Sequence, residues 1–179
     1  ALKALTMIKD PKYTCIALGV AREEIGSSSV GSANDVFLDN VVKVLARNSK
    51  SSLQLSETYS KSVMLSADVD IAYTPQNQAV TDKENNSHFG NGAALVIANG
   101  YNGVPTGNIV MPNDLYFMER FLNRRDMAYQ VTALPSKVGI GGGGGTIARF
   151  YTEKGILTAD LGIPVGNMHG TTSRIFAAD

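Results

Sequence analysis

The sequence predicts a three-layer α/β/α sandwich around a central, mostly parallel or mixed sheet, and three observations carry that reading. Short apolar runs at residues 15–21, 62–68, 93–98, 129–134 and 156–161 have strand length and are bounded by Gly, Pro, Asn or Ser. Segments with helical apolar spacing lie between most of them, and strands alternating with helices argue for a sheet covered on both faces. A hydrophobic share of 44% against 18% charged residues places the 179-residue chain among globular domains with one sizeable core.

Residues 1–8 put Leu2, Leu5 and Ile8 at helical spacing without an initiator methionine or a capping residue, so natural sequence is expected to precede them. Asp10-Pro11 is a turn. The run Cys15-Ile16-Ala17-Leu18-Gly19-Val20-Ala21 reads as a buried strand, with Cys15 a small core residue, and it exits into Arg22-Glu23-Glu24-Ile25-Gly26-Ser27. After a Ser/Gly loop, Ser32 with Asp35 makes a capping box for a helix over 33–48, whose buried stripe is Phe37, Val41, Val44 and Leu45. A short helix follows over 53–61, then a buried strand over 62–68 that ends in Asp68. Residues 71–91 are a polar excursion containing Pro75 and His88, and loops of that length are uncommon unless they carry function.

A strand over 93–98 and a Gly/Asn/Pro loop over 99–107 lead to a helix over 113–123. There Asn113 is the cap and Leu115, Met118 and Leu122 point inward. After the strand at 129–134, a glycine run over 139–145, broken only by Ile140, opens a helix over 146–154 that Gly155 ends. The last strand, 156–161, runs into Gly162-Ile163-Pro164-Val165-Gly166-Asn167-Met168-His169-Gly170. Ile175-Phe176-Ala177 looks like the start of one more element.

Composition narrows the function. The formal net charge is zero, so no basic surface advertises nucleic acid or anionic lipid as a partner. No apolar run reaches the length of a membrane span, and the single cysteine provides no intramolecular disulfide, which together make a cytoplasmic location the default expectation.

The chemistry gathers at strand exits. Neighbouring strand residues point to opposite faces, so Glu23 and Glu24 share one pocket only if the chain is leaving the sheet, as Gly26 and the serines after it indicate. In open α/β sheets, ligands bind in the crevice beyond the carboxyl ends of the strands. Two adjacent acids repel there unless a divalent metal holds one while the other stays free as a base. Glu24 is read as the ligand and Glu23 as the base; the alternative is one solvated acid and one paired with Arg22. Asp68 and His169 follow other strand exits, and carboxylates with imidazole but no thiolate cluster suit a catalytic zinc or manganese site with an open position. His88 reads as a surface loop histidine rather than a ligand. The glycine run invites a phosphate-cradle reading, but it lacks the Gly-Lys-Ser/Thr ending of a P-loop and the spacing of a dinucleotide fingerprint.

Four segments in order give the chain a resemblance. Glu23-Glu24-Ile25-Gly26-Ser27, Ser66-Ala67-Asp68, Gly142-Gly143-Gly144-Gly145-Thr146-Ile147-Ala148 and Met168-His169 resemble the hallmarks of the aspartyl aminopeptidase-like family of dinuclear zinc aminopeptidases. Lys83-Glu84-Asn85-Asn86 and Gly90-Asn91-Gly92 also look familial. The resemblance implies a zinc-exopeptidase fold and hydrolysis of the N-terminal, usually acidic, residue of peptide substrates by zinc-activated water. It implies Glu23 as general base, Glu24 and His169 as ligands of one zinc and Asp68 as ligand of the other, with manganese or cobalt as alternative metals. Gly143 and Gly144 would line the substrate site, with His88 a further substrate contact. Family members assemble into large homo-oligomers, commonly dodecamers.

The family also uses a His-x-Asp motif and a metal-bridging aspartate, and neither of the chain's two histidines, His88 and His169, stands in such a motif. Residues 1–179 are therefore expected to be the later part of a catalytic domain, without the early ligand-bearing segment and the inserted second domain. Gly170 stands where many relatives have serine. The competing reading is a catalytically incomplete fragment or relative that serves as a structural or assembly subunit.

Overall fold

Along Val63–Ile71 (β1), Ser66 and Asp70 are buried, while Val63, Leu65, Ala67 and Val69 face outward, so the strand presents a polar inner face at every second position. That alternation sets up the sheet in the computed structural model, which describes residues 1–52, 54–101, 105, 107–133, 137, 143–144 and 146–177. The remaining elements are α1 (Leu2–Met7), a 3-10 turn (Glu23–Ile25), α2 (Phe37–Asn48), α3 (Leu55–Ser60), β2 (Ala93–Ala98), β3 (Gly100–Tyr101), α4 (Pro112–Arg124), β4 (Tyr129–Ala133), β5 (Gly143–Gly144), α5 (Ala148–Thr152), β6 (Leu157–Gly166) and β7 (Arg174–Ile175).

The main sheet has the order β1-β6-β2-β4, with β7 added to β6. β1 and β6 run parallel in a register that sets Ser66 beside Asp160 and Asp68 beside Gly162. β2 is parallel to β4 and antiparallel to β6, so the sheet is mixed. One face carries Leu95, Ala159 and Leu161 against Met118, Leu122 and Leu115 of α4. The other carries Met64 with Tyr59, Tyr151 and Ile156, joined by Leu38 and Val42 of α2 and by Leu18 and Val20. Two clusters on opposite faces of one sheet make the three-layer sandwich expected from the alternation of elements.

Several elements differ from the sequence reading, each for a physical reason. Residues 15–21 form no strand among the described residues, and Cys15 is exposed rather than buried. An apolar run becomes a strand only where a neighbour takes its hydrogen bonds. Helix α2 starts at Phe37 rather than at 33 because Ser32 and Asp35 bind a tight turn and do not cap. The Ser32 hydroxyl donates to the Ser27 carbonyl at 2.5 Å, and Asp35 accepts from the Gly31 and Val36 amides at 2.7 and 2.6 Å. The inward stripe of α2 includes Leu38 and Val42, while Phe37, Val44 and Leu45 are exposed.

Helix α4 begins with Pro112 at its first turn and Met111 as the flanking residue, so Asn113 is not the cap. The helix over 53–61 shortens to α3, opened by the Glu57 carboxylate accepting from the Gln54 amide at 2.8 Å. Leu53 lies outside the described residues, as do residues 134 and 139–142 and Gly145 of the predicted strand and glycine run. β1 and β6 run on to Ile71 and Gly166, so Asp68 stands inside its strand rather than at the exit.

The excursion over 71–91 is strapped to the sheet at both ends. Tyr73 donates to the Ser87 carbonyl at 2.8 Å beside β1, and Ala133 of β4 donates to the Asn85 carbonyl at 3.0 Å.

Candidate metal centre at the carboxyl ends of β1 and β6

The two glutamates reach one side of the molecule because the chain makes a single tight turn between them. Arg22 (φ 61°) and Gly26 (φ 93°) are both left-handed and bracket the 3-10 turn. Ile25, Gly26 and Ser27 donate to the carbonyls of Arg22, Glu23 and Arg22 at 3.3, 3.0 and 3.0 Å. Glycine tolerates this geometry without strain, which is why Gly26 belongs in the segment. Ser27 is buried and anchors the turn, Glu23 is half-buried, and Glu24 reaches solvent.

His169 comes to the same place from the end of β6. Asn167 and His169 adopt positive φ, 60° and 62°, which reverses the chain just after the strand. The Asn167 side chain locks that reversal by donating to the Thr172 carbonyl at 2.7 Å, and Gly170 donates back to the Asn167 carbonyl at 3.0 Å. A serine at Gly170 would place its Cβ 2.2 Å from Asn167 Nδ2, so this turn is built around glycine.

The outcome is a close approach of two exposed groups, with His169 Nε2 3.8 Å from Glu24 Oε2. Behind it, burial raises the pKa of Glu23 above the ordinary carboxylate value, the charges of Asp68 and Glu24 raise it further, His169 opposes them and Asp160 adds to them. The turn at residues 22–27, β1 and the segment after β6 thus converge in one electrostatic neighbourhood. They do not form one closed ligand set. Among the described residues no group of three or more His, Cys, Asp or Glu side chains is placed to hold a metal ion. Glu24, Asp68 and His169 therefore do not converge on a single cation. Asp68 is fixed within β1 and its carboxylate turns back to accept from the Val69 amide at 2.7 Å. Glu24 with His169 fits a zinc by donor type, as a carboxylate and an imidazole facing each other.

His88 is engaged by its own loop. Its Nε2 lies 3.0 Å from the Lys83 carbonyl, its ring is 5.7 Å from that of Tyr73, and its backbone exchanges bonds with the Gln130 amide at 2.8 and 3.0 Å. Gly143 and Gly144 form β5, paired with β3 through Tyr101 and Gly100.

One acid escaped the sequence reading. Asp160 is 1% exposed in the middle of β6, and its Oδ2 accepts from Asn99 Nδ2 at 2.8 Å and from the Thr146 hydroxyl at 2.9 Å. The available signal was an acid inside an apolar strand run, because buried acids are rare unless partnered.

The comparisons with known proteins bear on this arrangement. A probable M18 family aminopeptidase 1 from Clostridium acetobutylicum is 31% identical over 171 residues, covering 94% of this chain and 36% of that protein. The crystal structure of an M18 family aminopeptidase from Thermotoga maritima superposes with a TM-score of 0.76 at 29% identity, covering 83% of this chain and 33% of that one. The dodecamer structure of yeast (S. cerevisiae) mApe1 matches with a TM-score of 0.66 at 26% identity, covering 84% of this chain and 32% of that one. The profile of the family described as aminopeptidase I zinc metalloprotease (M18) matches residues 1–179. The chain belongs to the M18 family.

The M18 chain spans about a third of the length of the relatives it matches. The mixed α/β fold read from the sequence and the family read from its four motifs both hold.

Proposed function

We propose that residues 1–179 are the later part of a metalloaminopeptidase catalytic domain that removes N-terminal residues from peptides. The observation that carries this reading is the Glu24 carboxylate facing the His169 imidazole at 3.8 Å beside the half-buried Glu23. In this reading Glu24 and His169 hold one zinc and Asp68 contributes to a second. Zinc so held supplies a Lewis acid and makes water a nucleophile near neutral pH. Glu23, whose raised proton affinity suits a base, takes the proton of the attacking water and delivers it to the leaving amine. The resemblance of the four sequence motifs to dinuclear zinc aminopeptidases supports two zinc ions per site and acidic N-terminal residues as substrates, and the dodecameric yeast relative supports a homo-oligomer. The exposed free thiol of Cys15 fits a reducing, cytoplasmic setting.

The test is metal content with activity. The purified protein is expected to carry zinc and to hydrolyse aminoacyl p-nitroanilides, with N-terminal Asp and Glu preferred. Glu23→Gln should keep the zinc and lose about 10²-fold or more in kcat. Loss of zinc in Glu23→Gln, or unchanged kcat, overturns the assignment of the base.

A second reading, a structural or assembly subunit, is favoured by the lack of a three-donor cluster among the described residues. It predicts about one zinc per chain or none, and no zinc-dependent hydrolysis.

A further inference from the structure

We propose that Asp160 is a positioning residue whose buried carboxylate ties Thr146, where the glycine-rich segment enters α5, and Asn99, where β2 ends, to the strand face that carries Asp68. This deepens the aminopeptidase reading and rests on it. The tie draws on distant parts of the chain. Asp160 Oδ2 accepts from Asn99 Nδ2 at 2.8 Å and from Thr146 Oγ1 at 2.9 Å, and Asn99 also reaches Thr146 at 3.3 Å. Thr146 Oγ1 in turn accepts from the Ala148 amide at 3.2 Å, which fixes the first residue of α5. Asn99 Oδ1 accepts from the Asn108 amide at 2.7 Å, which closes the loop after β2 on the same group.

Ser66 stands beside Asp160 in the β1 to β6 register, two positions before Asp68 on the same face. Ser66 Oγ and Asp160 Oδ1 are buried without a hydrogen-bond partner. A buried charge with one idle oxygen is costly, and an apolar residue here would leave the Asn99 and Thr146 donors unpaired. The carboxylate is thus the hub that fixes where Thr146 stands relative to Asp68. It acts on the reaction through those groups and not by touching the substrate, since it is 1% exposed.

Asparagine can reproduce the hub, with its amide oxygen accepting from Asn99 and Thr146 and its amide nitrogen donating to Ser66. Alanine cannot. The test uses the full chain with Asp160→Asn, Asp160→Ala, Thr146→Val and Thr146→Ser. Hydrogen exchange at the Ala148 amide reads the tie without any activity. It is expected to accelerate about tenfold or more in Asp160→Ala and Thr146→Val and to stay near wild type in Asp160→Asn and Thr146→Ser.

In the peptide assay, kcat should fall about tenfold or more in Thr146→Val and recover in Thr146→Ser, with KM nearly unchanged and Tm close to wild type. Unchanged exchange in Asp160→Ala overturns the tie. Wild-type kcat in Thr146→Val, or an Asp160→Asn as impaired as Asp160→Ala, overturns positioning as its role. A wild-type protein that binds no zinc and cleaves no peptide overturns the aminopeptidase reading instead, and the exchange result still decides whether the tie exists.

Discussion

Asp160 shows at the scale of one residue what a buried charge costs. Burial pushes its pKa up to about 6; the nearby Ser66 hydroxyl and the bond from Thr146 oppose that rise, the charge of Asp68 adds to it and Asn99 opposes it again. The folded chain therefore holds this proton more tightly than the unfolded chain does. The associated stability is full below the ordinary carboxylate range and is lost as pH rises through about 6. Asp160→Asn removes the dependence, so its Tm relative to wild type should rise between pH 4 and pH 8, on the order of the pKa window that linkage assigns. Melting curves across that range check it, and a gap independent of pH counts against it. Gly92 poses a steric case. Its φ is +85°, and a Cβ there would lie 2.2 Å from the Ala128 carbonyl oxygen, which is backbone and accepts from the Ala93 amide at 3.1 Å. Gly92→Ala should cost about 2 kcal/mol or more, seen as a lower urea midpoint, because both the left-handed backbone and the contact resist it.

Between elements, a single acid joins three helical segments. Asp39 of α2 accepts from the Tyr59 hydroxyl of α3 at 2.7 Å and from Lys154, just after α5, at 2.9 Å. Burial alone would raise its pKa, but these bonds and the lysine charge prevail and hold it below the usual carboxylate value. Its stabilisation is present above the unfolded pKa and is lost as pH falls through the lower folded value. Asp39→Asn should cost about 1–3 kcal/mol at pH 7 and almost nothing at pH 2, measured by denaturant titration at both. The same helices explain which features were legible in the sequence. β2 was readable end to end because its residues are buried or half-buried on both faces. The α4 face was readable because Leu115, Met118 and Leu122 are its consistent apolar positions. In α2 apolar residues occupy both faces, and only the distant Tyr59 and Tyr151 decide that Leu38 and Val42 turn inward. At the site, Gly26 announced the turn that gathers Glu23 and Glu24, whereas the partners of Asp160 lie at Asn99 and Thr146, too far along the chain for any spacing rule to join.

Across the whole molecule, one sheet face is unevenly covered. Helix α4 shields the part built from Leu95, Ala159 and Leu161, but along β1 the same face leaves Val63, Leu65 and Val69 at 51%, 43% and 46% exposure, with Ile163 beside Val69 at 55%. β1 is also an outermost strand in the order found, paired with β6 alone among the described strands. An apolar face next to an open edge is the combination that invites association through both surface burial and strand pairing. The 179-residue chain in isolation is expected to bind an apolar dye and to associate as its concentration rises. Leu65→Thr with Val69→Thr should reduce dye binding and association, because both side chains face outward and threonine has the β-branched shape a strand favours. The Tm should change little, since surface substitutions away from packed contacts typically shift stability by about 0.5 kcal/mol or less. Light scattering over a concentration series separates the outcomes: unaltered association in the double variant would place the contact elsewhere, whereas a large fall in Tm would show that Leu65 and Val69 are packed in solution.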